Sequence, residues 1–223
     1  MSGVVSIEGN LGAGKSTLLS LLQIPTIKEP VDEWQDMGGE SILKRYYHNP
    51  KRWAFTFQLN ALHSRQQLWT KAIKEEPNKL HFSERSPLAD RHIFGEIMHQ
   101  EGNLDPAEYQ IYDQLTSKLI KECPIRSVIY LKCAPELCME RIKKRNRDGE
   151  EGIPLEYLKK VHERHEEWIH SMKNVPTLII DTGIYDIYQP DSQAEVVSLI
   201  RQFIQDIEAS SPRKTDQQEK MLS

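Results

Sequence analysis

The sequence contains little that would put the protein in a membrane, on a nucleic acid or in an oxidising compartment. No apolar run approaches the length that spans a bilayer, so no membrane partner is expected. The formal net charge is only −4 over 223 residues, so no global field would recruit a nucleic acid polymer and phosphate binding must come from local groups. Three cysteines lack metal-ligand or redox spacing, and we interpret them as packing residues in a reducing cytosol: Cys123, Cys133 and Cys138.

The start of the chain and its composition indicate a cytoplasmic globular protein. The first predicted strand begins at Val4, which leaves no room for a targeting segment, so we expect a cytoplasmic location. Hydrophobic residues make up 38% of the chain and charged residues 28%, the balance of an ordinary globular protein. The length suits a single α/β domain, which we predict over residues 1–209, followed by a polar, mobile tail at 210–223.

Short apolar runs alternate with longer helical patterns, which is typical of βαβ units around a parallel sheet. Strands are predicted at 4–8, 25–28, 80–83, 127–132 and 177–181. Helices are predicted at 15–23, 41–48, 51–74, 91–100, 106–121, 135–145, 155–172 and 193–208. The segment 51–74 has apolar residues on several sides, so it should bury more than one face. We therefore predict an α/β fold with a central parallel sheet of five strands, wrapped by helices.

A phosphate-binding loop follows the first predicted strand and precedes an apolar helix. The pattern G-x-x-x-x-G-K-[ST] is carried by Gly9, Asn10, Leu11, Gly12, Ala13, Gly14, Lys15 and Ser16, with Thr17 next in the chain. Glycines allow successive backbone N–H groups to turn toward phosphate oxygens, and the helix N-terminus adds a favourable dipole. Lys15 would reach the β- and γ-phosphates, and the Ser16 hydroxyl would bind Mg²⁺. The motif predicts a nucleotide site without choosing among kinase, GTPase and motor.

Four further stretches lie in order behind this loop. They are Glu29-Pro30-Val31 with Trp34, the run 53–58, Glu84-Arg85-Ser86, and the run 152–158. Together they resemble the deoxynucleoside kinase family, most of all its deoxycytidine and deoxyguanosine kinase branch, in register from Val4 to about Asp181. The resemblance implies a P-loop kinase fold with an arginine-rich lid, acting as a homodimer in nucleotide salvage. The expected reaction moves the γ-phosphate of ATP, or of another nucleoside triphosphate, to the 5′-hydroxyl of deoxycytidine or a purine deoxynucleoside, with Mg²⁺.

The catalytic candidates follow the second and third strands, so their side chains should meet at the carboxyl end of the sheet. Glu29 can accept the proton of the attacking 5′-hydroxyl. Arg85 can orient Glu29 and hold the transferring phosphoryl group, because its planar guanidinium matches carboxylate and phosphate. Glu84 most simply organises Mg²⁺ and its waters. Sequence reasoning assigns the proton to Glu29 but leaves Glu84 open as the formal acceptor; Lys15 completes the catalytic set.

A basic helix end is predicted to form the lid. Arg141 and Arg145 lie four apart on one helical face, and Arg147 follows; the resemblance matches these residues to arginines that clamp donor phosphates. The glycine-containing stretch 148–152 would serve as the hinge on which the lid closes and excludes water. By analogy the loop 182–186 would touch the donor base, but it does not match the family's acidic pattern, so the choice of donor stays open.

The predicted substrate pocket rests largely on the resemblance. Gln58 and Arg65 are two turns apart on the long helix and share a face. Gln58 matches the family's base-pairing glutamine, and Arg65 with Asp90 matches an Arg–Asp pair of the deoxycytidine/deoxyguanosine branch. The resemblance assigns the sugar 3′-hydroxyl to Tyr47 and Glu150, and the walls around the base to Trp34, Phe57 and Phe94. Glu29 and Arg85 complete the substrate-binding set.

Two other functions fit part of this pattern. A nucleoside monophosphate kinase shares the phosphate loop and the arginine lid, but it needs cationic groups around the acceptor phosphate. A non-catalytic structural subunit could keep the fold, but it has no reason to keep all of Lys15, Ser16, Glu29, Glu84 and Arg85. A GTPase is disfavoured because the sequence lacks an Asn-Lys-x-Asp motif.

Overall fold

The described part of the chain builds a parallel sheet with helices packed on its two faces. This computed structural model describes residues 3–122, 125–147, 150 and 152–210. Cys123, three residues of the predicted hinge (Asp148, Gly149 and Glu151) and residues 211–223 of the predicted tail lie outside it. The boundary between domain and tail therefore stays a prediction; the last helix of the described part ends at Ala209.

The strands are β1 (Gly3–Gly9), β2 (Thr26–Ile27), β3 (Leu80–Glu84), β4 (Ile125–Lys132) and β5 (Thr177–Asp181). The helices are α1 (Lys15–Leu22), α2 (Val31–Gln35), α3 (Ile42–His48), α4 (Pro50–Glu75), α5 (Pro87–Ala89), a π-helical turn (Asp90–Gly95), α6 (Glu96–Gln100), α7 (Pro106–Glu122), α8 (Pro135–Arg145), α9 (Leu155–Ser171) and α10 (Pro190–Ala209). The strand order is β2-β3-β1-β4-β5, and every pairing is parallel. The predicted fold class is confirmed.

Two hydrophobic clusters attach the helices to opposite faces of the sheet. On one face Val5 and Ile7 of β1 pack with residues of α1, α8 and α10. On the other face Val128 and Tyr130 of β4 pack with the π-helical turn and α9. Because side chains alternate along a strand, β4 serves both clusters, with Ile129 and Leu131 in the first and Val128 and Tyr130 in the second. The long helix α4 also buries more than one face, as predicted, since Phe57 and Trp69 belong to different clusters.

Some element boundaries differ from the predictions for local reasons. Helix α2 was not predicted because its five residues are too few to show a helical period. It starts after Pro30, with Asp32 and Glu33 in a first turn that favours acidic side chains. Helix α10 begins three residues earlier than predicted, at Pro190, a residue suited to the first helical position. Within the described residues, no helix combines the length and hydropathy needed to cross a membrane.

The register of the sheet gathers the candidate residues at one edge. Ile7 of β1 lies opposite Glu84 of β3, so the phosphate loop after β1 is adjacent to Glu84 and Arg85. Because all strands point the same way, the loops after β1, β2 and β3 open at the same edge. The fold therefore brings Glu29, which follows β2, to the phosphate loop.

Candidate active site

The phosphate loop turns tightly between β1 and α1. Gly12 and Gly14 adopt φ values of 77° and 99°, which L side chains rarely tolerate. A Cβ on Gly12 would lie 2.6 Å from the carbonyl oxygen of Cys138, and one on Gly14 would lie 2.1 Å from Ile187 Cδ1. No side chain caps the N-terminus of α1 at Gly14. The loop can thus offer backbone N–H groups and the helix dipole to an anion.

Lys15 is folded back onto the phosphate loop. Its Nζ donates hydrogen bonds to the carbonyl oxygens of Asn10 at 2.9 Å and Gly9 at 3.2 Å, and the residue is only 5% exposed. Burial and the nearby Arg85 guanidinium lower the pKa of Lys15 to about 8, against the opposing pull of Glu84 and Glu29. A nucleotide phosphate would supply a negatively charged partner for this ammonium group.

Ser16 and Glu84 form a pair of oxygen ligands beside the loop. Ser16 Oγ lies 2.9 Å from Glu84 Oε1 and 3.0 Å from Oε2, although the residues are 68 positions apart. A hydroxyl and a carboxylate are the hard oxygen donors that Mg²⁺ prefers, with phosphates and waters completing its shell. Among the described residues no group of three or more His, Cys, Asp or Glu side chains could hold a metal. These two residues therefore fit a magnesium ion that is bound largely through phosphates.

Two arginines grip the carboxylate of Glu29. Arg65 Nη2 lies 3.0 Å and Arg85 Nε 3.2 Å from Glu29 Oε1. Burial alone would raise the pKa of Glu29, but the positive charges of Arg85, Arg65 and Lys15 outweigh it and lower the pKa to about 2. Glu29 is consequently an ionised acceptor at neutral pH, positioned beside the phosphate loop.

Arg85 occupies an unusual backbone conformation. Its φ is 64°, in the left-handed region that non-glycine residues rarely enter. The backbone N–H donates to Ile7 O at 3.0 Å, and Nη1 donates to Gly9 O at 2.9 Å. The guanidinium also lies 4.7 Å from the centre of the Phe94 ring. These contacts hold a buried cation between Glu29 and the phosphate loop.

Arg65 uses all three nitrogens of its guanidinium. Nε donates to Asp90 Oδ2 at 2.9 Å, Nη1 to the carbonyl oxygen of Glu84 at 2.9 Å, and Nη2 to Glu29 Oε1 at 3.0 Å. The side chains of Arg65 and Asp90 are 2% and 4% exposed. Burial raises the pKa of Asp90 even though the Arg65 charge opposes it. Arg65 thus joins the predicted base-reading residue to the predicted proton acceptor.

The π-helical turn shapes the base end of the site. It begins at Asp90 and ends at Gly95, where a Cβ would lie 2.4 Å from Tyr112 Cε1. Tyr112 is fully buried and its hydroxyl lies 3.2 Å from Gln58 Oε1. Single π-helical turns are often found at functional sites. Here the turn makes room for a tyrosine that contacts the glutamine amide.

One cavity contains all ten residues of the predicted substrate-binding set. They are Glu29, Trp34, Tyr47, Phe57, Gln58, Arg65, Arg85, Asp90, Phe94 and Glu150. Aromatic rings stack within its wall: Tyr46 lies parallel to Phe57 at 4.9 Å, and Trp34 meets Phe57 edge-on at 5.5 Å. The phosphate-loop residues Leu11, Gly12 and Lys15 line the same cavity. A flat apolar group could therefore be held beside Glu29 and the phosphate loop.

Known proteins of one kind resemble this chain over most of its length. The deoxynucleoside kinase family model matches residues 5–205. The chain is 35% identical over 216 residues to deoxycytidine kinase 2 of Gallus gallus, covering 80% of this chain and 82% of that protein. It is 32% identical to a probable deoxycytidine kinase of Fowlpox virus (91% and 88% covered) and 31% identical to a mitochondrial deoxyguanosine kinase of Xenopus laevis (79% and 80% covered).

The chain belongs to the deoxynucleoside kinase family. It is accordingly a phosphotransferase that takes a nucleoside and a nucleotide phosphate donor. The two alternatives, a nucleoside monophosphate kinase and a non-catalytic subunit, are not favoured by these comparisons.

The three arginines of the predicted lid in this deoxynucleoside kinase divide into two groups. Arg145 Nη2 lies 2.6 Å and Arg147 Nη1 3.5 Å from the carboxylate of Glu150. Arg141 instead turns toward the segment after β5, with Nη1 3.3 Å from Thr182 Oγ1 and Nη2 3.6 Å from Asp186 Oδ1. Arg145 and Arg147 line the substrate cavity, whereas Arg141 does not. The donor-clamping role of all three stays a prediction.

Sequence reasoning missed several residues that line the site of this kinase. Tyr46, Met98 and Tyr157 all line the cavity, and each is an apolar or aromatic position in a helix. Such residues resemble ordinary core positions in the sequence, so their pattern gave no separate signal. Tyr112 contacts the cavity residue Gln58 only because α7 packs against α4.

Proposed function

We propose that this kinase transfers the γ-phosphate of ATP to the 5′-hydroxyl of deoxycytidine and of purine deoxynucleosides. The observation that carries the proposal is the Arg65 guanidinium, which joins Asp90 to Glu29 inside one cavity. A base held at Asp90 and Gln58 would extend its sugar toward Glu29. The names of the relatives, deoxycytidine and deoxyguanosine kinases, agree with this substrate class.

Each catalytic residue has a role that its contacts support. Glu29, held ionised by Arg65 and Arg85, accepts the proton of the 5′-hydroxyl as that oxygen attacks phosphorus. Lys15 and Arg85 stabilise the charge on the transferring phosphoryl group. Mg²⁺, held by Ser16 and Glu84, would neutralise charge on the donor phosphates.

Substrate recognition follows from the walls of the cavity. Gln58 lies on α4 and Asp90 on the π-helical turn, and both side chains can hydrogen-bond a base edge. Trp34 and Phe57 supply the apolar contacts to the ring. Tyr47 and Glu150 would hold the 3′-hydroxyl; both line the cavity, and burial raises the pKa of Tyr47 well above its ordinary value, which keeps it a hydrogen-bond donor.

Phosphate transfer from ATP tests this function, measured across the four deoxynucleosides and deoxycytidine monophosphate. We expect transfer to deoxycytidine and the purine deoxynucleosides. Transfer only to the monophosphate would instead identify a nucleoside monophosphate kinase, and no transfer to any acceptor would favour a structural subunit. Replacing ATP by other nucleoside triphosphates in the same assay identifies the donor.

A homodimer is proposed as the assembly, through α7 and α4. Ile111 and Leu115 stand one turn apart on α7 and are 49% and 44% exposed. On α4, Phe55 and Leu59 are only partly buried against a cluster that includes Tyr112 and Leu119 of α7. Light scattering should give a dimer mass for the wild type and a monomer mass for I111E/L115E. The control is M37E, which changes an apolar residue that is 50% exposed on a different segment.

Nucleotide salvage in the cytoplasm is the proposed setting of the reaction. The product of the reaction is a deoxynucleoside monophosphate, which a salvage route would use as a nucleotide precursor. One relative is named as mitochondrial. Fractionation of cells that express the full chain tests the location.

A further inference from the structure

Glu8 is a carboxylic acid buried in the central strand of the sheet. It is 0% exposed, and its Oε1 accepts hydrogen bonds of 2.5 Å from both Ser6 Oγ and Ser86 Oγ. Within the described residues nothing hydrogen-bonds its Oε2. A strand interior ordinarily carries apolar side chains here, because burying a carboxyl group is costly. Glu8 is therefore a candidate for a function beyond packing.

The neutral acid suits these contacts. Burial raises the pKa of Glu8, although the hydrogen bonds from Ser6 and Ser86 and the charge of Arg85 oppose the shift. Both serines donate to the same oxygen, and that oxygen can act as a carbonyl acceptor when the acid is protonated. The geometry requires an acceptor at Oε1, which either protonation state of Glu8 provides.

Ser86 connects Glu8 to the candidate active site. It directly follows Glu84 and Arg85, the residues beside Ser16 and Glu29. Its hydroxyl donates to Glu8 and also accepts the backbone N–H of Ala89 at 3.3 Å as the N-cap of α5. The bond to Glu8 thus ties the end of the Glu84-Arg85-Ser86 segment to the central strand.

This hydrogen bond matters because the Glu84-Arg85-Ser86 segment is strained at Arg85, its middle residue. Arg85 is held at a φ of 64°, a conformation that persists only when surrounding contacts fix it. Its backbone N–H is fixed by Ile7 O at 3.0 Å, and its carbonyl oxygen by Ser83 Oγ at 2.9 Å. The Ser86–Glu8 bond is the next constraint along the chain. Loss of that bond would let Arg85 relax away from Glu29.

We infer that Glu8 is a positioning residue for phosphoryl transfer, which holds Glu84 and Arg85 in their reactive arrangement by accepting the Ser86 hydroxyl. The inference rests on the proposed roles of Glu84 and Arg85. It accounts for a buried polar side chain that does not itself line the substrate cavity. It also explains why a serine follows Arg85.

The test compares E8A, E8Q and S86A by steady-state kinetics with deoxycytidine and ATP. E8A and S86A should lower kcat about tenfold to a hundredfold, since small misplacements of reacting groups have effects of that size. The KM for deoxycytidine should change by less than about threefold, because the cavity walls are untouched. E8Q keeps an acceptor oxygen in place, so it should restore kcat to within about threefold of wild type.

S6A is the matched control. It removes the other hydroxyl that donates to Glu8 Oε1 but leaves the Ser86 link intact. We expect S6A to lower the melting temperature as S86A does while keeping kcat near wild type. A kcat loss in S6A equal to that in S86A would overturn the inference, as would a folded E8A with wild-type kcat.

The R85A variant distinguishes a failure of this inference from a failure of the proposed function on which it rests. If R85A loses kcat while E8A, E8Q and S86A all match wild type, Arg85 is catalytic and Glu8 does not position it. If R85A also matches wild type, the proposed role of Arg85 fails and the inference fails with it. If E8A does not fold, the comparison of kcat between S86A and S6A tests the inference. A lower kcat in S86A alone supports it, and equal kcat values in the two variants overturn it.

Discussion

Arg65 Nη2 donates a hydrogen bond of 3.0 Å to Glu29 Oε1, across 36 positions of sequence. The same guanidinium binds Asp90, so one buried side chain links the proposed base-reading group to the proposed proton acceptor. A base that moves Asp90 would also move Arg65, the hydrogen-bond partner of Glu29. Base choice and turnover should therefore be coupled in this kinase rather than independent.

Replacing Glu29 by glutamine should lower the turnover number far more than it weakens nucleoside binding. General-base catalysis contributes about 10²–10⁴-fold, and a loss in that range is expected for E29Q. Because the pKa of Glu29 is about 2, the wild-type rate should show no acid limb from this residue near neutral pH. The comparison is E84Q: a loss below about tenfold in E29Q with abolished activity in E84Q would assign the proton to Glu84.

Thymidine should be a poorer substrate than deoxycytidine and the purine deoxynucleosides. An ionised Asp90 can accept a hydrogen bond from an amino group, but it would confront thymine O4, which is also an acceptor. A mismatched buried pair costs on the order of 1–3 kcal/mol, a penalty of about tenfold to a hundredfold. Guanine also presents an oxygen, but Arg65 could donate to it if the base shifts.

The Arg65–Asp90 pair also predicts how the preference between thymidine and deoxycytidine changes with mutation and pH. Replacing both Arg65 and Asp90 by small apolar residues should raise thymidine efficiency relative to deoxycytidine, at a cost in kcat because Glu29 loses a partner. Burial raises the pKa of Asp90, and a protonated Asp90 can donate to O4, so the thymidine ratio should rise as pH falls. Wild-type preference for thymidine over every other deoxynucleoside would exclude this interpretation.

ATP binding should take up a proton above about pH 8. The pKa of Lys15 is lowered to about 8 in the free protein, so the amine is increasingly neutral above that pH. Donor phosphates would raise the pKa again by favouring the ammonium. Calorimetry of ATP binding in two buffers of different ionisation enthalpy measures the uptake. K15R keeps its charge at these pH values and should abolish the uptake; equal wild-type enthalpies in both buffers would contradict the prediction.

A methyl group on Gly95 should destabilise the protein and weaken nucleoside binding. Its Cβ would lie 2.4 Å from Tyr112 Cε1, and this buried ring must move. Overpacking of this kind costs about 1–3 kcal/mol of unfolding free energy. Movement of Tyr112 also withdraws its hydroxyl from Gln58, which should raise the nucleoside KM.

The control for G95A is G152A. Among the described residues beyond its chain neighbours, no heavy atom lies within 4 Å of a Cβ on Gly152, so the unfolding free energy of G152A should differ from wild type by less than about 0.5 kcal/mol. Denaturant unfolding measures both variants. If G95A were as stable as wild type, Tyr112 and α7 would be able to move without a loss of unfolding free energy.

Local patterns were sufficient for most of the fold. The five strands and the long helices were predicted because each carries a hydrophobic period over enough residues to be recognised. The phosphate loop was predicted for a different reason, since glycine, lysine and serine at fixed spacing have few other uses. Helix α2 was missed, since five residues give no usable period, and the helix predicted at 91–100 gave no sign that its first part is a π-helical turn.

The sequence by itself determined the family, the phosphate loop and the carboxylates that follow β2 and β3, because these depend on residue types at short spacing. Only the tertiary structure decided that Arg65 reaches Glu29, that Ser86 reaches the buried Glu8, and that Lys15 is desolvated. Each of these depends on elements far apart in the chain meeting in a closed interior. Burial and charge act there over distances that no local pattern of residues encodes.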